Sequence, residues 1–283
     1  ITSKIMSVYI EGFRNVPVLL WIVIVFALLT EFTPQPRAIK GEDPEASMIL
    51  FDSIAITNRG TYLPSPQWGS GSIWLILVFL VSLLGIIIFL RYAKNIQKNT
   101  GRNLPVLWVS LGIFFVPTIL FYFILGSPVT LEYPELKGFN FKDGIHIRNS
   151  LTALTLALSF YTSAFIGEIV RSGIMAISKG QTEAASALGL RPNKVMSLIV
   201  LPQALRVIVP PMISQYLNLT KNSSLAIAVG YMDVRGTLGG ITLNQTGREM
   251  ESMVLLMGFY LAISLLISSV INYFNRSFQL VGK

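Results

Sequence analysis

Apolar and polar positions fall in long blocks along this chain. Six runs, 16–32, 73–90, 104–126, 150–170, 207–230 and 252–274, carry few charges. Each approaches or exceeds the roughly 20 helical residues that cross a hydrocarbon core. All six are expected to be helices, because a helix satisfies its own backbone hydrogen bonds in lipid. The ten-residue alternation of a membrane β-barrel is missing from the runs. The pattern therefore predicts an all-α, polytopic membrane helical bundle of about six spans. Within it, 73–126 reads as a helical hairpin and 150–283 as a core interrupted by a polar segment at 172–206.

The polar blocks differ among themselves. Residues 1–15 form an amphipathic segment in which Ile1, Ile5, Val8, Tyr9 and Phe13 share one helical face, as expected for a helix lying on a membrane or on another helix. Residues 33–72 are long and rich in Pro, Gly and charge, and Pro34, Pro36, Pro44, Pro64 and Pro66 argue against an extended helix there. This segment and 127–149 are expected to be external loops. There is no internal repeat and no low-complexity tract.

Charge orients the blocks. With residues 1–15 placed in the cytoplasm, the internal segments hold 13 Lys or Arg against Glu11 and Glu183. The external segments hold 8 against eleven carboxylates, counting Glu31. That bias follows the positive-inside rule and puts both ends of this chain in the cytoplasm. Overall, 52% of residues are apolar and 13% charged, with a mean hydropathy of +0.62, whereas soluble domains average about 25% charged. The net charge of +8 therefore belongs to helix ends facing anionic headgroups, not to a nucleic-acid surface. Arg91, Lys94, Lys98 and Arg102 read as a topology signal. There is no cysteine, and His146 is the sole histidine, in a charged loop beside Asp143 and Arg148. No hydrolytic triad or metal set follows, so the chain is not expected to be an enzyme.

The polar segment 172–206 carries the most specific pattern. Glu183-Ala184-Ala185-Ser186-Ala187-Leu188-Gly189 is followed after nine residues by Ile199-Val200-Leu201-Pro202. The Ala/Leu stretch favours helix, and Glu183 sits where an acidic residue favours a helix N-terminus. Gly189 is suited to the left-handed conformation that closes helices, and Pro192 to opening the next one. The expectation is a short helix, a turn and a second helix. By itself this is what any Ala-rich helix capped by glycine supplies.

Its spacing on to Pro202 and its place between apolar runs resemble the cytoplasmic coupling loop of permease subunits of ATP-binding-cassette importers. Residues 146–283, and more weakly 8–21, resemble the polar-amino-acid branch of that family. The likeness rests on Tyr161-Thr162-Ser163-Ala164-Phe165-Ile166-Gly167-Glu168-Ile169-Val170-Arg171-Ser172-Gly173, on Lys179-Gly180-Gln181, on Pro202-Gln203-Ala204-Leu205-Arg206, and on Pro210-Pro211. Leu217-Asn218-Leu219-Thr220-Lys221-Asn222-Ser223-Ser224-Leu225-Ala226 and Asn244-Gln245-Thr246-Gly247 are closest to the general L-amino-acid or glutamate/glutamine/aspartate/asparagine systems. Arg59-Gly60 fits the first of such a system's two permeases. Trp21 departs from the pattern, standing where glutamine usually follows Arg14-Asn15-x-Pro17-x-Leu19-Leu20. Since the family has hydrophobic helices before residue 1, and the chain opens on Ile1, a fragment is expected.

The resemblance implies a bacterial inner-membrane permease that forms half of a translocation path. It implies a related second permease, two cytoplasmic ATPase subunits and a periplasmic amino-acid-binding protein. This chain has no Gly-x-x-x-x-Gly-Lys-Ser/Thr loop, so ATP and magnesium are expected on the partner ATPase and no cofactor on this chain. In the coupling loop, Glu183 is expected to make a polar contact with the ATPase, with Ala184, Ala185 and Leu188 at the contact and Gly189 making the turn.

A polar face recurs in the fifth run at Ser214, Gln215, Asn218, Lys221 and Asn222, and polar groups in a span face the bundle interior or a water-filled path. Lys221 suits a substrate carboxylate, with amides at Asn218 and Asn222. It suits equally a structural lysine paired with Glu168 or with carbonyls where the helix breaks around Asn222 to Ser224. Tyr161 is a further candidate on the path. Glu168 and Arg171 are spaced for a pair on one helix. Asn244, Gln245, Thr246 and Glu251 are candidates for the binding-protein contact. The competing class is an ion-coupled secondary transporter or channel for small polar solutes, which predicts repeats and a carboxylate at mid-depth.

Overall fold

The computed structural model describes residues 2–40 and 46–278, with side chains over 4–39 and 46–273. Ile1, Pro44 and the segment after residue 278 lie outside the described residues. The chain divides into two compact units, and along it run α1 Thr2–Asn15, α2 Val18–Glu31, α3 Pro36–Lys40, α4 Ser72–Thr100 and α5 Val106–Ile124. Then follow α6 Asn149–Met175, α7 Lys179–Ala187, α8 Pro192–Val195, α9 Leu201–Asn222, α10 Val234–Gly236, α11 Leu243–Thr246 and α12 Glu249–Phe278.

The first unit comprises residues 1–34, 57–60 and 147–283, and its centre is α6. Val18 and Ile22 of α2 pack with Leu154, Ala157 and Leu158 of α6 and with Ala226 and Val229. At one end of this packing the Asn149 side chain, 4% exposed, donates to Leu29 O at 3.3 Å and Thr57 O at 3.1 Å. A buried carbonyl needs such a donor. On its other side α6 packs on α9, and α9 on α12.

Residues 192–229 form one helical rod of 38 residues, roughly 57 Å at the α-helical rise. A π turn at Met196–Val200 joins α8 to α9, and a tighter 3₁₀ stretch at Ser223–Val229 ends the rod. The fifth span and the second helix of the polar segment are thus a single element, where the sequence pattern separated 207–230 from 172–206.

The first apolar run is shorter than expected. α2 has 14 residues, about 21 Å against a hydrocarbon core of about 30 Å, and α1 meets it at 106°. Among the described residues, five helices are long and apolar enough to cross a membrane, or six if the bent α1–α2 pair counts as one. None of the best 18-residue window of α12 is buried within the chain. Apolar surface on that scale requires lipid or a protein partner to cover it.

The second unit holds residues 35–56 and 61–146. Its α4 and α5 form the hairpin expected over 73–126, although α4 continues through Arg91, Lys94 and Lys98, residues that the apolar pattern left outside the span. The segments 33–72 and 127–149, expected as external loops, carry short elements of their own among the described residues. They contain α3 and seven strands: β1 Ala55–Thr57, β2 Gly60–Leu63, β3 Ser65–Trp68, β4 Val129–Glu132, β5 Glu135–Lys137, β6 Asn140–Lys142 and β7 Ile145–Ile147. The strands pair in order β1-β2-β7, β3-β4 and β5-β6. Tyr62 is 1% exposed, donates to Asn140 Oδ1 at 2.7 Å and stacks on His146 with ring centroids 4.4 Å apart. His146 is therefore an exposed residue of β7 that lays one ring face on Tyr62.

Candidate functional site

The polar segment builds as a helix, a turn and a second helix, with one correction. α7 begins at Lys179, so Glu183 lies in mid-helix and not at its N-terminus. Its C-terminus closes at Gly189, whose φ is +75°. Gly189 N donates to Ser186 O at 2.9 Å and Leu190 N to Ala185 O at 3.3 Å, the paired bonds of a Schellman stop. Pro192 then opens α8.

Packing divides α7 into two faces. Ala185, 5% exposed, clusters with Val195 and Val200, and Ile174, Ile177, Leu190 and Ile199 close over them. A small side chain is needed there because the turn folds the two helices directly onto each other. Gln203 Nε2 donates to Gln181 Oε1 at 3.4 Å across the same fold-back. Glu183 and Ala187, on the face opposite Ala185, are exposed, as are Ala184 and Gly189, and Leu188 at the C-cap is 83% exposed. Ala185 therefore packs within the chain, while Leu188, Glu183 and Ala184 present an unpartnered apolar and acidic surface.

Along α9, Ser214, Asn218 and Lys221 are exposed and Gln215 and Asn222 half-buried. Spacings of four and three place the exposed members on one face. Glu168 does not pair with Lys221. Its carboxylate takes a two-pronged contact from Arg171, with Arg171 Nε donating to Oε2 at 2.9 Å. Tyr161, a candidate on the path, is half-buried against the α2–α6 cluster with its ring 4.9 Å from Phe165.

Beyond Lys221 the tightened helix is held by residues the sequence reading passed over. Arg235 Nη1 donates to Ser224 O at 3.3 Å. Asp233 accepts from Gly236 N at 2.9 Å and from the Tyr260 hydroxyl of α12 at 3.5 Å. The available signal was Asp233 standing three residues before a glycine, an N-cap pattern. Asn244, Gln245, Thr246 and Glu251 are all exposed. The first three lie in α11, and Glu251 in the first turn of α12 with Glu249, where carboxylates complement the helix dipole.

A bundle of long, thinly buried apolar helices, with a folded-back polar hairpin continuous with one span, defines a helical membrane permease. Residues 99–279 match the family described as "Binding-protein-dependent transport system inner membrane component", and the chain belongs to that family. It is accordingly a non-catalytic membrane component of a transport system, and this assignment supports the importer reading over the ion-coupled alternative.

Named relatives agree. The chain is 51% identical over 303 aligned residues, covering 99% of itself and 71% of the relative, to the glutamate/glutamine/aspartate/asparagine transport system permease protein BztB of Rhodobacter capsulatus. It is 42% identical to the putative amino-acid ABC transporter permease protein YhdX of Escherichia coli, covering 99% of itself and 69% of the relative. It is 40% identical to the general L-amino acid transport system permease protein AapQ of Rhizobium johnstonii, covering 99% and 68%.

Proposed function

We propose that this chain forms half of the translocation path of an ATP-driven importer of polar L-amino acids in a bacterial inner membrane. Its relatives' names support the cargo. The chain pairs with a related second permease, receives substrate from an external binding protein and docks two cytoplasmic ATPase subunits, which bind the ATP and magnesium. Residues 1–15, the α7–α8 hairpin and the segment after α12 face the cytoplasm, as the charge bias requires.

The observation that carries this reading is the split of α7: Ala185 buried at 5% and Leu188 exposed at 83%, on a hairpin whose second arm is the rod Pro192–Val229. An ATPase groove closing on Leu188 and Glu183 would move α7, and the Ala185–Val195–Val200 contact passes that motion to the rod. The rod carries Asn218 and Lys221, whose amide and ammonium suit the polar groups of an amino acid. Asn244, Gln245, Thr246 and Glu251 supply the contact with the binding protein.

The test is uptake of a labelled polar amino acid into vesicles holding the assembled transporter. Uptake requiring both internal ATP and the external binding protein is expected. Uptake driven by an ion gradient without ATP overturns the reading.

A further inference from the structure

We propose that the groove between α1 and α6 is a binding site for one zwitterionic phospholipid bearing a phosphate and a primary ammonium. The placement of this groove in the cytoplasmic leaflet rests on the orientation proposed above; the binding itself does not.

Two adjoining hollows form the groove. One, of about 380 Å³, is lined by Ser7, Glu11, Arg14, Glu168 and Arg171 together with Met6 and Ile10. The other, of about 690 Å³, is lined chiefly by Ile5, Tyr9, Phe160, Ser163 and Gly167. Met6, Ile10 and Arg171 border both. On α6 the positions 160, 163, 167 and 171 follow a three–four–four spacing, which makes them one stripe. The stripe is apolar at Phe160 and charged at Arg171, one turn before α6 ends at Met175. A lipid has the same gradient, with its head at the membrane surface and its tail inward.

α1 is positioned for this. It bends 106° from α2, which suits a helix lying in the interface. The Tyr9 hydroxyl donates to Phe160 O at 2.7 Å and meets Ser163 Oγ at 2.5 Å. These bonds fix α1 to α6 at the apolar end while the groove stays open beside them.

The charges select the head. Glu11, Arg14, Glu168 and Arg171 sum to zero, so a purely anionic head gains a cation and meets a carboxylate. Glu168 is ion-paired with Arg171, and the Arg14 charge also acts on it. Glu11 and Arg14, three residues apart on the same groove, form no ion pair among the described residues. The Arg14 guanidinium lies over the Phe165 ring, 5.6 Å from its centroid. A phosphate fits Arg14, and an ammonium with N–H donors fits Glu11. A quaternary choline has no N–H to give.

Native mass spectrometry of the intact permease, titrated with phosphatidylethanolamine, phosphatidylglycerol or phosphatidylcholine of identical chains, tests this. Retention of one phosphatidylethanolamine over either other lipid by about tenfold is expected. Glu11→Gln should lower phosphatidylethanolamine to the phosphatidylcholine level, and Arg14→Ala should lower retention of all three. Gly167→Leu fills the groove where a Cβ meets nothing within 4 Å, so it should fold normally and retain no lipid there. Phosphatidylglycerol retained as well as phosphatidylethanolamine, or retention unchanged in Gly167→Leu, overturns the proposal. A transporter with the opposite orientation would leave this result intact and fail only the uptake test.

Discussion

Gly173 of α6 lies so close to Ile208 of α9 that a Cβ built on Gly173 would overlap the Ile208 Cγ1 atom, with Ala204 O 3.6 Å away. Ile208 is 2% exposed and Ala204 fully buried. The close crossing holds α6 directly against the rod. Gly173→Val should push the helices apart, at a cost of about 1–3 kcal/mol for overpacking. Gly180→Ala, where a Cβ meets nothing within 4 Å, serves as the neutral control. Thermal unfolding of the purified permease, read by near-ultraviolet dichroism, should separate the two.

Gly189 presents a backbone constraint without a steric one. Its φ is +75° and a Cβ there meets nothing within 4 Å. Gly189→Asn should be tolerated, because asparagine visits the left-handed region. Gly189→Val should open the Schellman stop, at a cost on the order of 1–2 kcal/mol, and uncouple ATP hydrolysis from uptake while membrane insertion persists. Normal uptake by the valine variant would remove Gly189 from the coupling role.

Ala185 and Leu188 should respond in opposite ways. Ala185→Leu overfills the contact with Val195 and Val200 and should lower the unfolding temperature, by about 1–3 kcal/mol of stability. Leu188→Asp should leave the unfolding temperature unchanged, since exposed substitutions stay within about 0.5 kcal/mol, yet it should weaken co-purification of the ATPase. Full ATPase retention with Leu188→Asp would show that the subunit docks elsewhere.

The exposed face of α9 makes a further contrast. Lys221→Met and Asn218→Ala remove polar groups that no described side chain in this chain satisfies, so folding should persist. Initial uptake rates should fall by about tenfold or more if the ammonium meets a substrate carboxylate. Unchanged uptake with a lowered unfolding temperature would instead mark Lys221 as structural.

Asn149 should matter for stability alone. Asn149→Ala removes a buried donor from the Thr57 carbonyl, a loss of about 1–3 kcal/mol. Unfolding should shift accordingly, while the uptake rate of the folded fraction stays the same.

The legible parts of this molecule are those whose cause is local. Hydrocarbon demands long uncharged helices, so the runs at 73–90, 104–126, 150–170, 207–230 and 252–274 announced α4, α5, α6, α9 and α12 from composition alone. Gly189 and Pro192 announced the turn, because a left-handed stop and a helix start are properties of single residues and their neighbours. The strands in 33–72 and 127–149 were hidden because they are three or four residues long, and β3 finds its partner β4 only at a distance. Ser65 of β3, for example, lies opposite Glu132 of β4, 67 residues on.

The start of α7 was misplaced because Glu183 matches a helix N-terminus as well as a helix middle, and only the chain leaving α6 at Met175 settles which. The candidate site divides along the same line. By itself the sequence determined where the long apolar helices lie and which residues could couple or carry charge. The tertiary structure decided that Ala185 faces inward and Leu188 outward, that Glu168 takes Arg171 and not Lys221, and that α8 and α9 form one rod. Periodicity records what each face is made of, whereas the partner that covers it is set by residues far away in the chain.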